Sequence, residues 1–332
     1  MATCFYDAEF ERNLRGKLSS KSIVRSTLIK TAAALRVDEL ALALRRWLVS
    51  GGQSPHMLVV EMHETPQQDE ALLRQQLDWV SRHFTLVDLP TFVALWQEFR
   101  ANPRAGRNNK PNNKPPLLFT FDDGRLNNYT VAAPVLESYG TRGVFFVVPE
   151  FVQCSPQQAR HFYYSHIDTR QLPPSLPGEE TLSMTPHQIA DLSRRGHSIG
   201  NHTYSHVNLA AVPESQLHHE IVDSAEQIAV WTQSGKPVDA FAWTFSWDSI
   251  TPAAWNLIQQ HHRYCFAPCP GSVDCRTDSQ NLIWRTEVEL SYPPSDFRFM
   301  YAGLADPLWR SKRKRLKAAL EGSSASSPSH SL

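Results

Sequence analysis

Leu117-Leu118-Phe119-Thr120-Phe121-Asp122-Asp123-Gly124 is a short apolar run that ends in two adjacent carboxylates and a glycine. A run this short reads as a buried strand rather than a helix, and a strand buried on both faces belongs in a parallel sheet. In folds built on parallel strands, the C-terminal edge of the sheet carries the reactive groups. Side chains alternate along a strand, so Asp122 and Asp123 are expected to point opposite ways and take different tasks. Either one holds a cation while the other handles a proton, or both cap the following turn.

Further along, Gly196-His197-Ser198-Ile199-Gly200-Asn201-His202-Thr203-Tyr204-Ser205-His206 places two histidines four residues apart behind a second short strand. One helical turn at that spacing puts both imidazoles on one face, where they reach a single cation. Zinc accepts neutral imidazole together with carboxylate, and a catalytic site uses three protein ligands with one position left open. Asp123, His202 and His206 supply that number. Because the chain has 14 histidines, some pairs fall at this spacing by chance; the strand end before His202 sets this pair apart. His197 reads as structural, and His218-His219 and His261-His262 as solvated helix surface.

These two stretches, together with Gly143-Val144-Phe145-Phe146-Val147-Val148, Met184-Thr185-Pro186 and the upstream strand Met57-Leu58-Val59-Val60-Glu61-Met62-His63, occur in an order that resembles the polysaccharide deacetylases of the NodB-homology type. The resemblance runs from about residue 57 to about residue 290 and is specific as a set. It implies a distorted, incomplete (β/α) barrel. It implies a metal-dependent hydrolase that removes N-acetyl groups from amino sugars of a glycan or glycan precursor. Asp122 is then the general base, and Asp123, His202 and His206 hold a divalent metal, zinc by preference, with cobalt, nickel or iron open. A backbone N–H near Thr244 or Phe245 is the oxyanion donor that the resemblance implies.

The sequence departs from the family pattern at Met62, where tyrosine is usual, and in three further places. Arg125 stands where proline commonly follows Asp-Asp-Gly, and Ala240-Phe241-Ala242-Trp243-Thr244-Phe245-Ser246 has Trp243 and Ser246 in place of a proline and a glycine. A late Leu-x-His motif is missing: Asn281-Leu282-Ile283-Trp284-Arg285 has no histidine, and only His330 follows His262. Proton donation to the leaving amine then falls to His262 or His63. Arg285 either pairs with Asp122 and keeps it ionised or is a plain strand-end cation. Two other readings stay open: a hydrolase of another non-peptide C–N bond, such as a formamide or cyclic amide, and a glycan-binding relative with weakened turnover.

Composition sets the bounds. Thirty-three basic and 33 acidic residues cancel, which excludes a general nucleic-acid binder dependent on phosphate neutralisation. With 332 residues, 41% of them hydrophobic, the chain supports one large core. No basic start followed by an apolar core is seen at the N-terminus, nor an apolar run of about 18 residues, so the cytoplasm is the expected compartment and no transmembrane segment is expected. Cys4, Cys154, Cys265, Cys269 and Cys275 match no standard zinc spacing and read as reduced thiols.

Three sections are expected: an N-terminal helical extension over 1–55, a catalytic domain over 56–300 and a basic, Ser-rich tail over 301–332. The amphipathic stretch 37–49 is expected to dock on the barrel rather than on a membrane surface. Strands are expected at 57–62, 117–121, 143–148, 198–200, 238–243, 264–267 and 282–290, alternating with helices at 69–83, 89–99, 129–139, 185–195, 214–232 and 252–262. The segment 102–116 reads as a surface loop. The insertion 150–180, with Phe162-Tyr163-Tyr164, is either a sugar-stacking wall or an ordinary packed loop, and the run Arg310-Ser311-Lys312-Arg313-Lys314-Arg315-Leu316-Lys317 a solvated helix end.

Overall fold

The computed structural model describes residues 29, 31, 35–50, 56–101, 114–168, 182–233, 235 and 237–324. Most of the N-terminal section, Cys4, most of the expected 102–116 loop, the second half of the 150–180 insertion and the Ser-rich tail lie outside the described residues. Ten strands are seen among the described residues: β1 (His56–Met62), β2 (Thr85–Leu86), β3 (Pro116–Phe121), β4 (Val144–Val147), β5 (Ser198–Asn201), β6 (Ala240–Ala242), β7 (Tyr264–Ala267), β8 (Val273–Asp274), β9 (Ile283–Trp284) and β10 (Thr286–Glu287). Every residue of β3 and β4 is buried, which is why neither sequence alternates.

The strands run in the order β10-β1-β3-β4-β5-β6-β7-β9, with each pair along that path parallel. Its two ends are separated by Arg285 alone. Ile283 and Trp284 pair with Phe266 and Ala267 of β7, whereas Thr286 and Glu287 pair with Val60 and Glu61 of β1. One passage of chain thus hands over from the last strand to the first and nearly closes the barrel. The single strand expected over 282–290 is broken at that handover, because its two halves bond to different neighbours.

Alternation sorts the core into two layers. Met57, Val59, Leu118, Val144, Phe146, Ala242, Phe266 and Ile283 form the inner cluster, joined by Phe92, Trp96 and Phe99 of the helix Leu89–Ala101. Leu58, Val60, Leu117, Phe119, Phe121, Phe145 and Val147 face the other way, against Leu73, Leu77, Leu136, Ile189 and Leu192 of surrounding helices. Proline at the first turn and Thr–Gln or Ser–Gln capping boxes start the helices Pro186–Arg194 and Pro156–Phe162.

The helix Val37–Ser50 buries Leu42 in the main core and leaves Leu40 and Leu44 exposed. Helices over Pro149–Gln153, Pro156–Phe162 and Pro294–Tyr301 were not read from the sequence, and of Asp306–Ser324 only a solvated end over 310–317 was expected. The last of these carries the basic run. Leu316 and Leu320 enter the core, while Lys312, Arg315 and Lys317 lie over the rings of Trp309, Trp247 and Trp284 at 4.1, 5.0 and 5.6 Å. Those cations cover aromatic faces as well as meeting solvent. No described helix is long and apolar enough to cross a membrane.

Gly200 in β5 is required by close approach. A Cβ there would lie 2.3 Å from Cδ1 of Phe146, the ring that fills the inner layer below Arg285. Gly200→Ala therefore lowers the unfolding free energy by about 1–3 kcal/mol through overpacking, and adding Phe146→Leu recovers part of the loss. Chemical denaturation of the single and double variants checks this; undiminished stability of the single variant contradicts the contact.

Candidate active site

β3 delivers Asp122 in extended backbone, with the Asp122 N–H still bonded to the Met62 carbonyl at 3.1 Å. Regular structure stops there. Asp123 and Gly124 both have φ of 74°, so two successive left-handed residues turn the chain sharply. The expectation that the two carboxylates diverge is therefore corrected: Asp123 has left the strand, and both reach His202. Nε2 of His202 lies 3.6 Å from Asp122 Oδ2 and 3.6 Å from Asp123 Oδ1.

His202 continues β5, its N–H bonded to the Val147 carbonyl at 3.1 Å. The helical turn expected between His202 and His206 is absent. The segment is an irregular loop in which Thr203 and His206 adopt φ of 64° and 56°, and that loop rather than helical periodicity brings the two imidazoles together. Glu220 braces it, accepting from the Ser205 N–H at 3.0 Å and the Ser205 hydroxyl at 2.7 Å, while its own carbonyl accepts from the Tyr204 N–H at 3.0 Å. Asn201 ties the strand end to Ile221 and Ser224.

Tautomers follow from the partners. Nδ1 of His202 lies 2.7 Å from the Ala242 carbonyl, and Nδ1 of His206 lies 2.7 Å from the His166 carbonyl. A carbonyl only accepts, so each Nδ1 carries a proton and each Nε2 is the nitrogen turned toward the carboxylates. His206 Nε2 is 3.3 Å from the same Asp123 Oδ1 that faces His202. Burial, opposed by Asp122, pulls the His202 imidazole down to about 4, so it is neutral at physiological pH.

The three buried donors lie within 4.8 Å of one another. Ligands about 2.1 Å from a tetrahedral ion stand about 3.4 Å apart, close to the spacings around Asp123 Oδ1. The set fits a divalent cation, with both imidazoles oriented through their second nitrogen as metal-binding histidines usually are.

Asp122 faces a guanidinium. Nη1 and Nη2 of Arg285 meet its two oxygens at 2.6 and 2.9 Å, and Arg285 Nε reaches Glu61 at 3.3 Å. Burial raises the Asp122 carboxyl, but Arg285, with His202 and His63 adding to it, more than offsets burial and holds the carboxyl below its ordinary value. Glu61 moves the other way: burial raises it and Arg285 only partly offsets that. Glu61, Asp122 and His63 also have cation-binding spacing, but the guanidinium already occupies the two carboxylates.

Of the two candidate proton donors, only His63 stands beside Asp122. Its Nδ1 lies 3.2 Å from Glu289 and its Nε2 3.7 Å from Glu61. Burial disfavours its charge, yet the bond to Glu289 and the surrounding carboxylates raise it well above the ordinary histidine value. His262 instead contacts Asn201 at 3.2 Å and packs on Phe241. His197 bridges Glu137 and the Gly143 N–H, and His218 and His219 share Asp223.

Thr244 and Phe245 lie beside the histidine loop: the Thr244 hydroxyl donates to the Val207 carbonyl, and the Phe245 ring packs against His206 at 5.0 Å. The sequence reading missed Glu61, Glu289 and the Arg125 network. The clue for Glu61 was its place two residues before His63 in β1, on the same face as that histidine.

Residues 109–262 match the family model described as polysaccharide deacetylase. A peptidoglycan-N-acetylglucosamine deacetylase of Bacillus cereus is 28% identical over 117 residues, which cover 35% of this chain and 32% of that protein. The chain thus spans about a third of the length of the curated relatives it matches. Among solved structures, a polysaccharide deacetylase from Bacillus cereus superposes with a TM-score of 0.54 at 15% identity, covering 76% of this chain and 70% of that one. A de-N-acetylase from Aggregatibacter actinomycetemcomitans gives 0.53 at 15% identity, covering 74% and 99%. At these identities the likeness establishes the distorted barrel.

Arg285→Met leaves Asp122 and Glu61 buried without their cation and lowers stability by about 3–5 kcal/mol at neutral pH. The depressed Asp122 stabilises the fold above its unfolded pKa, and that contribution disappears in the variant. Both carboxyls then take up protons on burial, so the deficit shrinks as pH falls toward 4. Urea denaturation at neutral and acid pH measures it; a deficit independent of pH refutes the pairing.

Proposed function

We propose, from the premise that this chain belongs over residues 109–262 to the polysaccharide deacetylase family, that it is a metal-dependent hydrolase releasing acetate from N-acetylated amino sugars of a glycan or glycan precursor. One observation carries the reading. An acid held ionised by Arg285 lies 3.6 Å from an imidazole that shares one Asp123 oxygen with a second imidazole. The names of the related proteins support the acyl group and the sugar.

Asp123, His202 and His206 hold the cation, zinc by preference, since one carboxylate and two imidazoles suit a borderline ion. When bound, such a cation supplies Lewis acidity, acidifying water and polarising a carbonyl. Asp122 takes the proton from the attacking water; its oxygens keep lone pairs beyond those that receive Arg285. The water oxygen bonds to the acyl carbon, the C–N bond breaks, and His63 gives its proton to the departing amine. Ionised base and protonated acid coexist at neutral pH because their environments push them apart: Arg285 lowers Asp122, and Glu289 raises His63. Thr244 and Phe245 border the place where the acyl oxygen develops charge.

Asp122→Asn abolishes acetate release from N-acetylated chito-oligosaccharides while metal content is retained, whereas His202→Ala lowers the bound metal itself. Elemental analysis with an acetate assay separates the two, and wild-type turnover in the Asn variant sinks the base assignment. Glu289→Gln removes the carboxylate that holds the His63 proton, so the alkaline limb of the kcat/KM profile moves to lower pH. An unmoved limb removes His63 from the acid role.

A further inference from the structure

Arg125 occupies the position after Asp-Asp-Gly and is buried. Its guanidinium grips Asp123 Oδ2 through Nε at 2.9 Å and Nη2 at 2.7 Å. Its remaining nitrogen, Nη1, pairs with Glu64 and donates to the Tyr163 hydroxyl at 2.7 Å, and that hydroxyl in turn donates to Glu64. The ring of Tyr163 also lies under the guanidinium, 4.9 Å from its centre.

Tyr163 belongs to the first half of the insertion, and so does the His166 carbonyl that accepts from His206. The chain there ends a helix in a single wide turn, closed by the Asp168 N–H on the Tyr163 carbonyl at 2.8 Å. The last carbonyls of a helix lack partners inside it and sit at the negative end of its dipole. One of these is spent on a ligand histidine. Phe162 stacks on His166 at 4.4 Å and on Phe151 at 5.5 Å, and Val148, Phe151, Ala159, Phe162 and Tyr163 form a small core of their own.

We propose that the segment Pro149–Ile167 is a clamp that sets the affinity of the cation site, holding Asp123 through Tyr163 and Arg125 and His206 through the His166 carbonyl. This rests on the reading of Asp123, His202 and His206 as a cation site. Arg125 and Tyr163 are positioning residues. The two-nitrogen grip on Oδ2 leaves Oδ1 as the single donor, which suits a compact four-coordinate ion and disfavours calcium, whose sites need more oxygens and often a bidentate carboxylate.

The test measures Zn2+ and Co2+ affinity by competition with a chelator, together with the visible d–d absorption of the Co2+ form, on the full chain. Arg125→Ala weakens both metals by about 10- to 100-fold, as loss of an outer partner typically does. Arg125→Lys recovers part of this, because an ammonium keeps the charge without the planar fork. Tyr163→Phe gives a smaller loss in the same direction and alters the Co2+ spectrum; it decides the matter if Arg125→Ala does not fold. His202→Ala is the control. If it weakens binding while Arg125→Ala and Tyr163→Phe keep wild-type affinity and spectrum, or bind tighter, the clamp is overturned and the site stands. If His202→Ala binds as the wild type does, or the wild type binds no metal, the site reading fails and the clamp falls with it.

Discussion

Arg285 stands at the seam that nearly closes the barrel, and its side chain helps hold the Asp122 carboxylate ionised. It is the one residue between the strand that pairs with β7 and the strand that pairs with β1, so its backbone marks the seam. Its guanidinium crosses the interior to Asp122, Glu61 and Thr120 over the face of Phe146. Three charges so placed cost several kcal/mol each to desolvate, which their attraction offsets only when the geometry is good. What the network adds is register. A shift of one residue in β9 and β10 turns the guanidinium out of the barrel and leaves two carboxylates inside without a partner.

Backbone strain is concentrated at the same edge. Among the described residues, six non-glycine positions have positive φ, and Asp123, Thr203, His206 and Phe245 are four of them. Each such conformation costs of order 1–3 kcal/mol and persists only where its surroundings over-determine it. Those surroundings are present. Arg125 grips Asp123, Glu220 accepts twice from Ser205, the His166 carbonyl accepts from His206 Nδ1–H, and the Phe245 ring lies on His206. Regular strands end at Asp122 and His202, and the irregular residues beyond them carry the remaining donors.

Much of this was legible in the chain. Apolar runs ending in Asp-Asp-Gly and in Gly-Asn-His gave two parallel strands and their reactive ends, since burial on both faces leaves a recognisable continuous run. The orientation of the residues past those strand ends was not legible. Alternation sent Asp122 and Asp123 apart, and a left-handed Asp123 brought them together; helical spacing paired His202 with His206, and an irregular loop did so in fact. The strand over 282–290 was read whole because a change of pairing partner leaves no mark on local pattern. Arg125 showed only as a departure from the family pattern, because its partners Glu64 and Tyr163 are distant in sequence.

Glu61 joins the two halves of the proposed chemistry. One of its oxygens meets Arg285 Nε at 3.3 Å, and the other lies 3.7 Å from His63 Nε2. Burial raises its carboxyl against the pull of Arg285, whereas that of Asp122 is lowered. A proton on Glu61 leaves Arg285 to Asp122 alone, drawing that carboxylate still lower, and removes one of the charges that sustain His63 as a cation. Loss of that proton does the reverse. In the proposed chemistry, base and acid therefore both border one buried carboxylate. Its place in β1, two residues before His63 and in register with Glu287, fixes that coupling in the sheet itself.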